Sequence, residues 1–276
     1  TFTSKKILQY AIILLGFGMN LFEIFRVGSQ SLLIIISTIG TALVVSYAVS
    51  RIMKIDHDIA TLVGVGSSIC GGSAIAAAAP VIKASDEDIA QSISVIFLFN
   101  VIAAFLFPTL GAILGFNDMG FGMWAGTAIN DTSSVVAAGQ TWASVSGSDT
   151  ALNYATIVKL TRTLAIIPIC LGLAYLTSKR KATTSEVKIS SIFPMFIIYF
   201  LGASIINTFA GSHFDFFQFL PAIGKFMIAM AMAAIGLNTN LVKLIKTGGK
   251  PILLGLICWF CIAVVSLAMQ HLLNIW

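Results

Sequence analysis

Charge is what this sequence has least of. Its 276 residues include 16 Lys or Arg and 11 Asp or Glu, so charged residues make up 10% of the chain against 58% hydrophobic. A soluble domain carries about 25% charge, and a mean hydropathy of +0.97 excludes one water-soluble core. Cysteine is too sparse and too deep to form a framework. Cys70, Cys170, Cys258 and Cys261 all fall in apolar stretches, where small apolar packing is the expected role rather than a disulfide or a zinc site. The three histidines, His57, His213 and His271, lie near loops or segment ends, which gives no support to a buried histidine relay. There is no metal-ligand spacing and no Ser/His/Asp set, and the Gly-rich stretches follow no strand, so they are not phosphate loops. An enzyme with a cofactor is not expected. An initiator Met is also absent: the chain opens Thr1-Phe2-Thr3 with no signal-peptide pattern. Further spans before residue 1 are expected to be missing.

What the chain has in abundance is long apolar runs. A helical span needs roughly 20 mostly apolar residues, and nine such stretches lie near 7–25, 31–50, 59–84, 88–114, 120–145, 152–177, 189–209, 219–241 and 251–273. This predicts an all-α polytopic membrane protein of nine spanning or re-entrant segments in a lipid bilayer. The formal charge of +5 does not point to nucleic acid, because the basic residues sort by side. With alternating crossings, one side collects Lys5, Lys6, Arg51, Lys54, Lys179, Arg180, Lys181, Lys188, Lys243, Lys246 and Lys250. The other holds little more than Arg26 and Lys83, with Lys225 near a boundary. Lys and Arg accumulate on the cytoplasmic face, so residue 1 is expected inside and the C-terminus outside a bacterial inner membrane.

The chain also resembles itself. At a shift of 220 residues, Gly16-Phe17-Gly18-Met19-Asn20-Leu21 lies over Gly236-Leu237-Asn238-Thr239-Asn240-Leu241, and Val44-Val45-Ser46 over Val264-Val265-Ser266. The two copies run in opposite directions, the pattern of inverted repeats in secondary transporters. At a shift of 60, the run from Gly66 to Ile75 lies over the run from Gly126 to Val135, and Pro108 over Pro168. Both copies put Gly, Ser and Thr into the middle of an apolar stretch, where a regular helix is weak. Each is a candidate interrupted helix, either a broken crossing or a re-entrant hairpin. If both are hairpins, one dips from each side, and both echoes become inverted. In either case helix ends meet near mid-membrane, where free amides attract anions and free carbonyls hold cations.

An ionisable group at that depth marks function by default. Asp131 is the strongest single candidate, as a carrier of a coupling proton or sodium ion, with helix capping through Thr132 or Ser133 as the structural alternative. Lys159 and Arg162 share one helical face at i, i+3 spacing. Arg162 is deep enough to need a partner, Asp131 or an anionic substrate, unless both cations snorkel to the surface. Asn20, Asn100, Asn238 and Asn240 read as hydrogen bonds between helices, and Pro80, Pro108 and Pro168 as kinks or boundaries. The expected anion-binding set is Ser67, Ser68, Cys70, Gly71, Ser73, Asn130, Thr132, Ser133, Lys159 and Arg162, with oxyanion-binding helix N-termini near Ser67, Ser68, Thr132 and Ser133.

Several motifs are familiar. Gly64-Val65-Gly66-Ser67-Ser68-Ile69-Cys70-Gly71-Gly72-Ser73-Ala74, then Ala79-Pro80-Val81-Ile82-Lys83-Ala84, Val135-Val136-Ala137-Ala138-Gly139, the Lys159/Arg162 pair and Ala229-Met230-Ala231-Met232-Ala233-Ala234-Ile235-Gly236-Leu237 resemble the sulfate exporter family of bacterial membrane proteins typified by YeiH. The resemblance spans nearly the whole chain. Members of that family carry about two further N-terminal spans, and some have His-Glu where this chain has Asn130-Asp131. It is similar in turn to cation/proton antiporters and bile-acid-type symporters. The resemblance implies export of a small sulfur-containing anion such as sulfate, sulfite or a sulfonate, coupled to H+ or Na+. It implies a transport core over 57–178 and scaffold-like parts over 1–55 and 185–276, with a homodimer as a candidate assembly. The alternatives are a sodium/proton antiporter using Asn130-Asp131, and a non-transporting membrane receptor or subunit.

Overall fold

The computed structural model describes residues 2–181, 195–210, 215–238 and 249–275, and among these there is no strand. The helices are α1 (Phe2–Gly16), α2 (Leu21–Met53), α3 (His57–Ser68), α4 (Gly72–Ile82), α5 (Asp86–Ile113), α6 (Asp118–Ala128), α7 (Thr132–Ser146), α8 (Thr150–Thr163), α9 (Ile166–Lys181), α10 (Met195–Ala210), α11 (Leu220–Asn238) and α12 (Gly249–Leu272). Four stretches are long and apolar enough to cross a membrane: Leu21–Met53, Asp86–Ile113, Thr150–Thr177 and Gly249–Leu272. The chain is therefore a multi-pass membrane protein by length and composition.

The first boundary falls earlier than the apolar run at 7–25 suggests. Gly16 closes α1, and Asn20 caps α2 by accepting the Phe22 amide through its side chain, so residues 21–25 open a helix of 33 residues. Asn is a strong N-cap, and here it caps rather than joins helices. Of the other asparagines, Asn240 and the side chain of Asn238 lie outside what is described. Between α8 and α9 the helix is interrupted at Leu164-Ala165. Pro168 has no amide hydrogen for the Leu164 carbonyl, and the amides of Leu164 and Ala165 turn back to Thr161 and Arg162.

Two pairs of short helices fold back on themselves. Asp56 and Asp58, at the start of α3, bring their carboxylates within 4.8 Å of that of Asp88, at the start of α5. Ile82, at the end of α4, lines one cavity together with Arg51, His57 and Asp58. Thus α3 enters and α4 returns to the same end, a hairpin with its tip at residues 69–71. The pair α6 and α7 does likewise: Trp142 Nε1, near the end of α7, donates to Asp118 at the start of α6 at 2.7 Å, and its ring stacks on Phe121 at 4.1 Å. The 12 residues of α3 rise about 18 Å, half or so of a hydrocarbon core about 30 Å thick. One placement changes as a result. Lys83, set opposite Arg51 by alternating full crossings, emerges at the same end as Arg51.

The remaining helices frame these hairpins. α5 packs against α3, α4 and α7, and α12 lies against α2, α3, α5 and α6. α1 sits between α10 and α11. Ser204 donates to the Gly16 carbonyl at 3.1 Å, Asn207 to that of Met19 at 3.3 Å, and Thr208 accepts the Leu21 amide at 2.8 Å.

Candidate functional site

The site is assembled by glycine. On α6, Gly122 and Gly126 let α8 approach so closely that a Cβ on either would fall 2.6 Å from Tyr154 Cβ or 2.8 Å from Val158 Cβ. α8 therefore runs beside α6 and past its end, carrying Lys159 and Arg162 to the level of both hairpin tips. Neither side chain snorkels: each is 0% exposed.

What they meet is backbone. Lys159 Nζ donates to the carbonyl of Ile69 at 2.8 Å and to that of Ile129 at 2.9 Å. Arg162 donates from Nε to Ser68 O at 2.8 Å, and from its two terminal nitrogens to Thr127 O at 2.6 Å and Ser67 O at 2.5 Å. These carbonyls belong to the C-terminal ends of α3 and α6, which lack intrahelical partners and carry the negative pole of each helix. Each cation thus binds both hairpins. No carboxylate lies within 4 Å of either among the described residues; the ion pairs there are His57–Asp58 and Lys225–Asp149. The expected pairing of Arg162 with Asp131 is not formed, because the guanidinium is already spent on three carbonyls.

The returning helices start at the same place with different caps. Asp131 caps α7, one carboxylate oxygen accepting both the amide and the hydroxyl of Ser133, so capping is one of its roles. α4 has no side-chain cap: its N-cap, Gly71, stands at φ 69°, ψ −129°, a region open in practice to Gly alone. The tips touch here. A Cβ on Gly71 would lie 3.3 Å from Asp131 Cβ and 3.4 Å from Asn100 Nδ2, while Asn100 Oδ1 accepts the Asp131 amide at 3.1 Å. Asn100 ties α5 to the second tip, as its position in mid-span suggests.

The expected residues are brought together, with two differences of role. Ser67 and Ser68 stand at a helix C-terminus, not an N-terminus; they offer carbonyls, and the Ser68 hydroxyl is turned back to Val65 O at 2.9 Å. Ser73 is exposed, whereas Cys70, Gly71, Asn130 and Ser133 are buried and Asp131 and Thr132 half-buried. Ser67 Oγ and both polar atoms of the Asn130 carboxamide are buried without a hydrogen-bond partner among the described residues. Such groups are rare, and each calls for an explanation. A cavity of about 700 Å³ opens between α2, α3 and α9 at the Arg51 end and reaches Gly64 and Val65, one helical turn short of Ser67 and Ser68. Gly126 opens the polar run picked out in the sequence, but the close approach of α8 at Gly122 and Gly126 and the Asp118–Trp142 bond are new from the structure; the four-residue glycine spacing is their available signal.

Residues 1–255 match the family described as "Conserved hypothetical protein 698", and the chain belongs to that family. It is 58% identical over 282 residues to a UPF0324 membrane protein of Streptococcus pyogenes serotype M3, covering 100% of this chain and 83% of that protein. A UPF0324 membrane protein of Fusobacterium nucleatum is 55% identical, over 99% of this chain and 84% of its own length. One from Streptococcus mutans is 57% identical, over 100% and 83%. No solved structure matches the chain.

Proposed function

We propose that this UPF0324 membrane protein is a secondary transporter that exports a small sulfur-containing anion such as sulfate, sulfite or a sulfonate. One observation carries the reading: two fully buried cations and one carboxylate stand where four helix ends meet, at the touching tips of two hairpins. Ionisable groups at membrane depth are costly and mark function by default, so the arrangement favours a site for a charged solute over a packing role. The hairpins are re-entrant, dipping from opposite sides, and with α5 and α8–α9 they form an inverted repeat. The chain then crosses seven times and dips twice. The bilayer is the bacterial inner membrane, with residue 1 cytoplasmic and residue 276 outside. Lys83 at the Arg51 end strengthens the positive bias of the cytoplasmic side.

Residues 57–178 form the transport core, and 1–55 and 185–276 serve as scaffold, with a second copy as a candidate partner. Asn130, Thr132, Ser133 and the tip around Cys70, Gly71 and Ser73 surround the solute. Asp131 supplies coupling to a proton or sodium ion: one of its oxygens takes both Ser133 bonds, and the other accepts none from the described residues. The same free oxygen favours a second reading, a sodium/proton antiporter in which Asn130-Asp131 binds the cation and no anion moves. The chain carries out no chemistry on its solute in either case. Counterflow of radiolabelled sulfite and sulfate in proteoliposomes of the full-length protein tests the proposal. Saturable exchange that responds to a pH or sodium gradient is expected. Proton movement driven by sodium, with no anion exchange, would replace it with the antiporter.

A further inference from the structure

We infer that the cavity at the Arg51 end holds a membrane phospholipid, with one acyl chain between α2 and α9 and its phosphate on the Arg51 guanidinium. This is a second site, and it does not depend on what the hairpin tips carry. α2 packs chiefly against α12 and α3, and α9 against α4. The two helices are left apart with about 700 Å³ between them, the size of an ordinary small-molecule site. Much of the lining is apolar: Leu43 of α2, Val65 of α3, Ile82 of α4, and Ile169 and Leu173 of α9. Three of its hydroxyls are already spent on the backbone. Ser46 donates to Ala60 O at 2.6 Å, Ser50 to Tyr47 O at 2.9 Å and Thr61 to His57 O at 2.8 Å. A hydrated anion would shed water there and gain few donors in return. Such a lining suits a hydrocarbon chain.

The rim points the same way. Tyr47 of α2 and Leu176 of α9 line the cavity yet are 59% and 58% exposed. Both lie in stretches long and apolar enough to cross a membrane, so their exposed faces meet lipid. The mouth therefore opens sideways into the bilayer, where a chain enters without passing through water. Arg51 stands in the last turn of α2, at the level of a head group. Its guanidinium lies 5.3 Å from the centre of the Tyr47 ring, and Nη2 donates to the Tyr47 hydroxyl at 3.4 Å. No carboxylate among the described residues lies within 4 Å of it. Arg keeps its charge and presents a fork that matches two phosphate oxygens. Asp58, the acidic group of the lining, lies 3.6 Å from His57 Nδ1. Basic pockets between membrane helices take lipid head groups in this manner.

Phosphatidylglycerol is the probe, and its binding to the delipidated full-length protein is read by native mass spectrometry at sub-saturating lipid. A Cβ on Gly172, which lines the cavity, meets nothing within 4 Å, so Gly172→Trp fills the space without pressing on the core. Gly202 on α10 is equally open, and Gly202→Trp serves as the control. Gly172→Trp should lower the fraction of protein carrying one lipid at least about fivefold, and Arg51→Gln at least about threefold. Gly202→Trp should match the wild type, and glycerol phosphate, a head group without chains, should displace nothing. Binding that Gly172→Trp lowers no further than Gly202→Trp does overturns the inference. So does binding that Arg51→Gln leaves unchanged, because the phosphate then lies elsewhere. Displacement by glycerol phosphate would make this a site for a free anion and overturn it as well. Arg51 is exposed, so Arg51→Gln keeps the test decisive should Gly172→Trp fail to fold.

Discussion

Arg162 spans both hairpins with three nitrogens on three carbonyls, a geometry that its planar fork permits and the single ammonium of Lys does not. Arg162→Lys should therefore leave buried carbonyls unpaired and lower stability by about 2–4 kcal/mol, read as a drop in the melting temperature of the detergent-purified protein. Gly71→Ala should cost about 1–3 kcal/mol from its backbone conformation alone, and its Cβ would press on Asp131. The expected result is a protein that still inserts and has lost exchange. At this scale the sequence was informative about which residues matter and silent about what they touch. Asp131, Lys159 and Arg162 stand out because charge in an apolar run is expensive. The partners of the two cations are backbone carbonyls, which every residue owns, so no residue type marks them.

Among the elements, the interruptions were legible and their sense was not. Gly, Ser and Thr in mid-run weaken a helix wherever they occur, but a helix of 11 or 12 residues fits a broken crossing and a hairpin equally well. Contacts at the far ends decide it, Asp56 and Asp58 with Asp88, and Asp118 with Trp142, and these join positions 24 to 32 residues apart. The closeness of α6 and α8 is also testable. Gly126→Leu should drive Val158 and the Ala155 carbonyl, and with them α8, away from α6, with an overpacking cost of about 1–3 kcal/mol or more. Because that shift withdraws Lys159 and Arg162 from the tips, exchange should fall further than Gly40→Leu makes it fall. A Cβ at Gly40 on α2 meets nothing within 4 Å, so this change supplies the control, and counterflow of the two variants makes the comparison.

For the whole molecule, a membrane protein of many passes could be read directly from the scarcity of charge and the length of the apolar runs. The side on which each loop emerges depends on the hairpins: alternating full crossings set Lys83 opposite Arg51, whereas Ile82 beside it lines one cavity with Arg51. Single cysteines at Asp56, Lys83 and Asp86 should react with an impermeant thiol reagent from one side of the membrane, and those at Asp118 and Thr150 from the other. Labelling of Lys83→Cys from the side of Asp118→Cys would restore the broken crossing. The native thiols interfere little, as Cys70, Cys170 and Cys258 are buried and Cys261 is half-buried.

Lys159 and Arg162 grip the two hairpins as a single axle grips two wheels. Ile69 and Ile129 share one ammonium, while Ser67, Ser68 and Thr127 share one guanidinium. Drawing the tips apart would strand both cations in an apolar surround. Any motion of one tip is therefore expected to carry the other with it, since each cation holds a carbonyl of both hairpins.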